Sequence, residues 1–410
     1  MALISVDEAR QRILDSLTPV DTLYLPLRAC MGRVLAGEIK ADVELPPFDN
    51  SGMDGFAVRA VDTQGASPAS PRTLRVVADI PAGTLPQQPI GPGEAARIMT
   101  GAPIPSGADA VIPVEDTDFN YRLPGAPPPQ SVNIFQAVEP GRNIRSRGSD
   151  VALGQVVMQA GQRLRAQDLG LLSMLGLASV LIYRQPRMAL FSGGDELILV
   201  DEPLTPGKIR DANSYTLTAL AQSAGAEVIF LGIAADARES VQNLLEQAVE
   251  QRADLIVSSA GVSVGAFDFV KEVVESRGYL DFWKVNMRPG KPLAFGTYHH
   301  IPFFGLPGNP VSAFIGFEVF VRPAIERLSG CQCTPRRIQR VFLDEAIESD
   351  GRETYMRAVV NEENGHLRAR LTGHQGSGNL LSLVQANALL IIPSGVKSLP
   401  PGATVEAWLL

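Results

Sequence analysis

The 410-residue chain has little of what builds disulfide frameworks or metal clusters: three cysteines (Cys30, Cys331, Cys333) and four histidines. Three cysteines cannot make a paired framework, and no Cys/His group has zinc-ligand spacing, so a reducing compartment fits best. No long Lys/Arg run is present and the formal net charge is -8. That balance excludes the electrostatic footprint of sequence-independent binding to nucleic acid or to an anionic membrane, so any anion site must be local. Long hydrophobic runs are missing too. The richest, Leu169 to Tyr183, is interrupted by Gly and Ser, flanked by Arg, and too short to span a bilayer. The amino-terminal MALISVDEARQRILDSL carries acidic residues where a signal peptide needs an apolar core. A cytoplasmic protein with no transmembrane segment is expected.

What is present is the balance of a globular protein, 45% hydrophobic and 20% charged, in a chain long enough for several domains. Ser5 followed by Glu8 forms a capping box, and Val6, Ala9, Ile13 and Leu17 then share one helical face until Thr18-Pro19. From Leu45 to about Val180 short apolar runs are broken by Pro and Gly, including YRLPGAPPPQ, which predicts a β-rich insertion followed by a helix near Gln167–Leu175. The next section alternates: apolar Met188–Phe191, Val228–Leu231 and Leu255–Val257 are separated by helical patterns near Tyr215–Ser223, Arg238–Gln251 and Phe269–Ser276. Such alternation predicts a parallel sheet covered by helices on both faces. After a helix from Pro310 to about Leu328, the strands Arg337–Phe342, Thr354–Val360, Leu389–Ile392 and Ala403–Leu409 suggest a small β-barrel or sandwich. The expected organisation is an N-terminal section over residues 1–180 with its β-rich insertion at about 45–150, an α/β domain over 181–329 and a β domain over 330–410.

Ligands of open parallel sheets bind beyond the carboxyl ends of the strands, so the residues directly after each strand come first. They are Ser192-Gly193-Gly194-Asp195-Glu196, Gly232 to Asp236, and Ser258-Ser259-Ala260-Gly261-Val262-Ser263-Val264-Gly265 followed by Asp268. Glycines let backbone N–H groups approach phosphate oxygens, and carboxylates are hard ligands for Mg²⁺ bridging those phosphates. Each loop taken singly also reads as a helix cap or tight turn. The coincidence of three favours a metal-phosphate site. Downstream, Lys284, Arg288 and Lys291 lie in a proline-stiffened segment that reads either as a preset anion cradle or as solvated surface charge. In Leu306-Pro307-Gly308-Asn309-Pro310-Val311-Ser312, Asn309 is placed as N-cap and Pro310 at the first helical position, leaving N–H groups near Ser312 for a second anion or simply starting a helix. The loops Phe48–Gly55, Met99–Pro103 and Arg145–Asp150 are turn-forming, and the four histidines show no partner pattern and read as structural.

The ordered set FDNSGMDGFAV, RIMTGAPIPSGADAV, SGGDEL, SSAGVSVG, MRPGKPLAFG, GLPGNPVSAF and TGHQGSG resembles the molybdopterin molybdenumtransferase family, the bacterial molybdate-insertion enzymes, and is similar to gephyrin's C-terminal domain. The likeness runs from the first helix to the last strand. It implies an α/β fold with additional β domains: a central parallel sheet of molybdopterin-binding type, a β-rich N-terminal insertion and a C-terminal β-barrel. It implies a homodimer whose cleft lies between subunits, with adenylylated molybdopterin and molybdate as substrates, Mg²⁺ as cofactor and AMP as a product. A molybdopterin adenylyltransferase is an implied partner. Residue by residue, the resemblance places catalytic roles on Asp54, Asp150, Glu196, Asp236, Asp268 and Lys284, with Glu196, Asp236 and Asp268 also the implied Mg²⁺ ligands. It places substrate contacts on Thr100, Ser192, Gly194, Ser258, Ser259, Gly261, Ser263, Pro307, Gly308 and Asn309. Molybdate contacts fall on Arg288, Lys291, Ser312, Arg357 and Ser377. A tetrahedral dianion needs such fixed cations with hydroxyl donors.

Three positions depart from the family pattern: Gly193 stands for the usual Thr, Ala260 for a second Gly, and Arg288 for Lys. Arg288 keeps the charge but is planar and bidentate where Lys is a point charge, so the family's anion geometry is not carried over at that position. Two other readings compete. The adenylyltransferase resembles the central domain alone, which leaves the terminal sections unexplained. A gephyrin-like dimeric scaffold would bind other proteins, but no long linker or fused domain supports it.

Overall fold

The computed structural model describes residues 3–119, 127–259, 267–332 and 336–410. Part of the YRLPGAPPPQ turn therefore lies outside the described residues, as do Ala260, Gly261 and Ser263. The chain forms two compact units: Met1–Gly37 with Ala160–Leu169 and Ala178–Leu410, and Glu38–Gln159 with Gly170–Leu177. Among the described residues no helix is long and apolar enough to cross a membrane. Cys30 is free and buried, whereas Cys331 is disulfide-bonded, which the reducing reading of the cysteines did not anticipate.

The smaller unit is built on a five-stranded sheet, in the order Ala110–Pro113, Gly55–Val58, Glu94–Ile98, Arg72–Ile80, Ser131–Ile134. Only Arg72–Ile80 and Glu94–Ile98 run parallel. Side chains alternate across a strand, so Phe56 and Val58 join Leu74, Ile112 and Val132 on one face while Ala57 joins Ile80, Ile98 and Val111 on the other. Both faces are covered. Gly55 is required by close approach, since a Cβ there would overlap the Ile112 carbonyl.

The larger unit opens with the helix Val6–Asp15, whose Glu8 N–H donates to Ser5 Oγ at 3.1 Å, as the capping box predicts. Val6, Ala9, Ile13 and Leu17 are buried against the segment Pro310–Leu328, which runs as α-helix to Gly316, π-helix through Phe317–Val321 and α-helix again over Arg322–Leu328. The central sheet has the order Glu227–Ala234, Arg187–Gly193, Leu255–Ser259, Ile301–Leu306, Pro292–Tyr298, Gly278–Lys284. Its first four strands are parallel and the last two complete an antiparallel meander, so the sheet is mixed rather than purely parallel. Strand alternation again sorts the core. Met188 and Leu190 face the helix Asn213–Ala224 and the Pro310–Leu328 segment; Ala189 and Phe191 face the helices Arg238–Glu250 and Phe267–Arg277.

The C-terminal strands close into a barrel. Glu353–Glu363 pairs with both His366–Leu371 and Ala388–Ile392, and the ring is completed through Ile338–Leu343 and Thr404–Leu409. One further pairing positions the site: Met287–Arg288 adds in parallel to the start of Glu353–Glu363, with Arg288 opposite Thr354. The proline-stiffened cationic segment is thereby stitched to the barrel wall.

Candidate active site: two adjoining cavities

One cavity of about 460 Å³ is lined by Arg288, Lys291, Ser312, Arg357 and Ser377, all five positions expected to meet the oxyanion. The five arrive from four different constructions. Arg288 and Lys291 flank Pro289-Gly290, Ser312 lies in the first turn of the helix Pro310–Gly316, and Arg357 comes from the middle of the barrel strand Glu353–Glu363. Ser377 comes from the loop that follows the strand His366–Leu371. Arg357 is 1% exposed, and burial without an acid partner pushes its guanidinium down to about 10, still charged at neutral pH. Gln375 clamps that strand position, accepting from Arg357 N at 2.9 Å and donating to Arg357 O at 3.1 Å. Arg288 lies 3.7 Å from Asp350, whose carboxyl is held below the usual range chiefly by the Arg352 side chain hydrogen-bonding to it. Arg288 thus shares its counter-ion and is only loosely held by it.

A second cavity of about 520 Å³ is lined by Gly193, Glu196, Asp211, Asn213, Ser259, Gly308 and their neighbours. Pro292, Pro307 and Asn309 belong to the walls of both cavities, so the two adjoin. Asn309 stands at the N-cap of its helix as expected, yet its side chain makes no cap bond; Nδ2 donates instead to Ser377 Oγ at 3.0 Å. Asn213 Nδ2 donates to Ser259 Oγ and to Gly308 O, both at 2.7 Å, and so ties two of the site loops together. Gly194 has φ +136, and a Cβ there would collide with the Glu196 carboxylate.

Other expected residues lie elsewhere. Ser192 and Ser258 are fully buried on neighbouring strands, their hydroxyls without a partner among the described residues, and line neither cavity. Gly194 borders a separate hollow beside Asp195 and Glu202. Lys284 ends its strand and lines neither cavity. Asp236 lines neither as well; its backbone N–H donates to Asp195 Oδ1 at 3.0 Å, which brings the second acidic loop beside the first. Asp268 sits in the first turn of Phe267–Arg277, and its side chain lies outside the described residues. Among the described residues no group of three His, Cys, Asp or Glu side chains is placed to hold a metal ion. The expected ligands are all carboxylates, a donor set that suits a hard cation.

In the smaller unit, Asp54 and Thr100 do meet: Asp54 Oδ1 accepts from Thr100 N at 2.8 Å and from Thr100 Oγ1 at 2.6 Å. Asp150 is paired with Arg145.

Family descriptions match almost the whole chain in the same order: "MoeA N-terminal region (domain I and II)" over residues 4–176, "Probable molybdopterin binding domain" over 189–327, and "MoeA C-terminal region (domain IV)" over 340–410. Molybdopterin molybdenumtransferase 2 of Mycobacterium tuberculosis is 38% identical over 412 residues, covering 98% of this chain and 99% of that protein. The chain belongs to the molybdopterin molybdenumtransferase family. The molybdopterin molybdenumtransferase of Bacillus subtilis is 36% identical over 410 residues, covering 99% of this chain and 94% of that one. The solved molybdopterin biosynthesis MoeA protein of Pyrococcus horikoshii superposes with a TM-score of 0.83 at 32% identity, with all of both chains covered. Against that family background, residue reasoning missed Asn213 and Gln375. Asn213 had one available signal, as a polar residue opening a helix two positions after Asp211.

Proposed function

We propose that this transferase of molybdenum cofactor biosynthesis inserts molybdate into adenylylated molybdopterin and releases AMP. The observation that carries the reading is the single cavity formed by Arg288, Lys291, Ser312, Arg357 and Ser377, which offers three cations and two hydroxyls to a tetrahedral dianion. The adjoining cavity would take the adenylylated molybdopterin, its phosphates lying near Gly193, Ser259 and Gly308 at the carboxyl edge of the sheet. The shared wall at Asn309 brings the two substrates together, so positioning supplies a large part of the rate. Glu196, with Asp236 and Asp268, would hold Mg²⁺, which supplies neutralisation of charge developing on the phosphates as AMP departs. Lys284, which lines neither cavity, would serve the same charge only as a cation outside their walls. The Asp54–Thr100 pair and Asp150 are assigned to a second copy's cavity, which makes the working unit a homodimer. A cytoplasmic location and delivery of the substrate by a molybdopterin adenylyltransferase complete the reading.

The deciding measurement is AMP release from adenylylated molybdopterin with and without molybdate. Release that depends on both molybdate and Mg²⁺, falls by at least about a hundredfold in Glu196→Gln and stops on chelation is expected. Release that ignores molybdate would instead favour a simple adenylate hydrolase.

A further inference from the structure

Arg357 is among the most deeply buried side chains of the protein, yet among the described residues no carboxylate hydrogen-bonds to it. Buried arginines are ordinarily offset by an acid, because an unpaired charge in a dry site is costly. Here Nε donates to Ser382 Oγ at 3.0 Å, and Nη2 donates to Gly376 O at 3.0 Å and His374 O at 3.4 Å. All three acceptors are neutral, so they fix the guanidinium plane without cancelling its charge. Nη1 has no partner among the described residues. Ser382 is fully buried, and its own hydroxyl proton goes to Asn379 O at 2.6 Å, which leaves its lone pairs for the arginine.

We infer that Ser382 is a positioning residue for the oxyanion: it orients Arg357 through a neutral acceptor so that the full positive charge is presented to the cavity. The inference rests on reading that cavity as the molybdate pocket. A carboxylate at this position would bond the guanidinium more strongly and would convert it into an ion pair. The dianion would then be left with Lys291 and with Arg288, which already shares Asp350 with Arg352.

Binding of sodium molybdate to the purified full chain, followed by calorimetry together with thermal unfolding, tests this. Ser382→Ala is expected to bind roughly tenfold more weakly, as a hydrogen bond orienting a charged group is lost. Its kcat at saturating molybdate should stay within about twofold, the split expected when only binding is affected. Ser382→Thr should restore affinity, and Arg357→Ala should abolish binding. Wild-type affinity in Ser382→Ala, with Arg357→Ala inactive in binding, overturns the positioning role and leaves the cavity reading standing. Loss of kcat and of folded protein in equal measure makes Ser382 a structural residue and also overturns it. Wild-type affinity in Arg357→Ala removes the cavity reading and this inference with it.

Discussion

Asn309 shows at the scale of one residue how local structure yields to the site. An N-cap asparagine normally accepts a hydrogen bond from the first turn of its helix, a contact that stabilises by about 1 kcal/mol. Asn309 forgoes it and directs Nδ2 to Ser377 Oγ on the wall between the two cavities. Asn309→Asp is therefore expected to keep or slightly raise the melting temperature, because aspartate caps at least as well. The same change places a negative charge beside the anion pocket and should weaken molybdate binding by at least about tenfold, through like-charge repulsion in a poorly screened site. Calorimetry and thermal unfolding of one preparation read both effects; a parallel loss of stability and affinity would contradict the argument. The site was legible at this scale where a residue carries its own local signal. Arg288 and Lys291 sit among prolines, Ser312 follows an evident helix start, and Glu196 follows an apolar strand. Arg357 and Ser377 carried no such signal and were reached only through family resemblance. What marks Arg357 physically is an arginine inside the apolar run of a barrel strand, and its meaning depends on Ser382 and Gln375, which the fold brings to it from farther along the chain.

Among the secondary-structure elements, the helix Ala166–Met174 offers a measurable contrast. Asp168 in its first turn accepts from Arg165 N at 2.8 Å and Arg165 Nε at 3.0 Å, and the Arg165 side chain is the leading cause that holds its carboxyl below the usual range. A carboxyl depressed in the folded state adds stability above the unfolded-state value of about 3.9, and that contribution is lost as pH falls through the lower folded value. The stability difference between the native chain and Asp168→Asn should be constant from neutral pH down to about 5 and shrink below about 4, as urea titrations at several pH values would read. A difference independent of pH would show that the carboxylate charge contributes nothing. Most elements were legible for equally local reasons, since the capping box, the 3.6-residue periodicity and the strand-helix alternation each act within a short window. The meander Gly278–Lys284, Pro292–Tyr298 and Ile301–Leu306 was not read as strands. Register shifts at Leu280/Phe282 and Phe282/Lys284 break its alternation, and Pro292 and Pro302 stand where a strand signal is discounted.

For the whole molecule, the arrangement of chemistry over the two compact units bears on how many chains make one site. The oxyanion cavity is built entirely from the larger unit, whereas the Asp54–Thr100 pair belongs to the smaller one. If the proposed homodimer completes each cavity with the smaller unit of the other copy, two inactive variants with complementary defects should rescue one another. Asp54→Asn and Arg357→Ala, co-expressed with different affinity tags, would combine at random into half mixed dimers. Each mixed dimer would hold one site with both defects and one with neither, so about a quarter of the native activity should return for a two-fold assembly. Purification through both tags in sequence isolates the mixed species and should raise its specific activity to about half of native, for the same symmetry reason. A site completed within one chain would leave every combination inactive, because each chain would still carry one of the two defects. The doubly tagged species thus distinguishes a shared site from a self-contained one when the copies stay associated through both columns, as a dimer that assembles in the cell and exchanges slowly does.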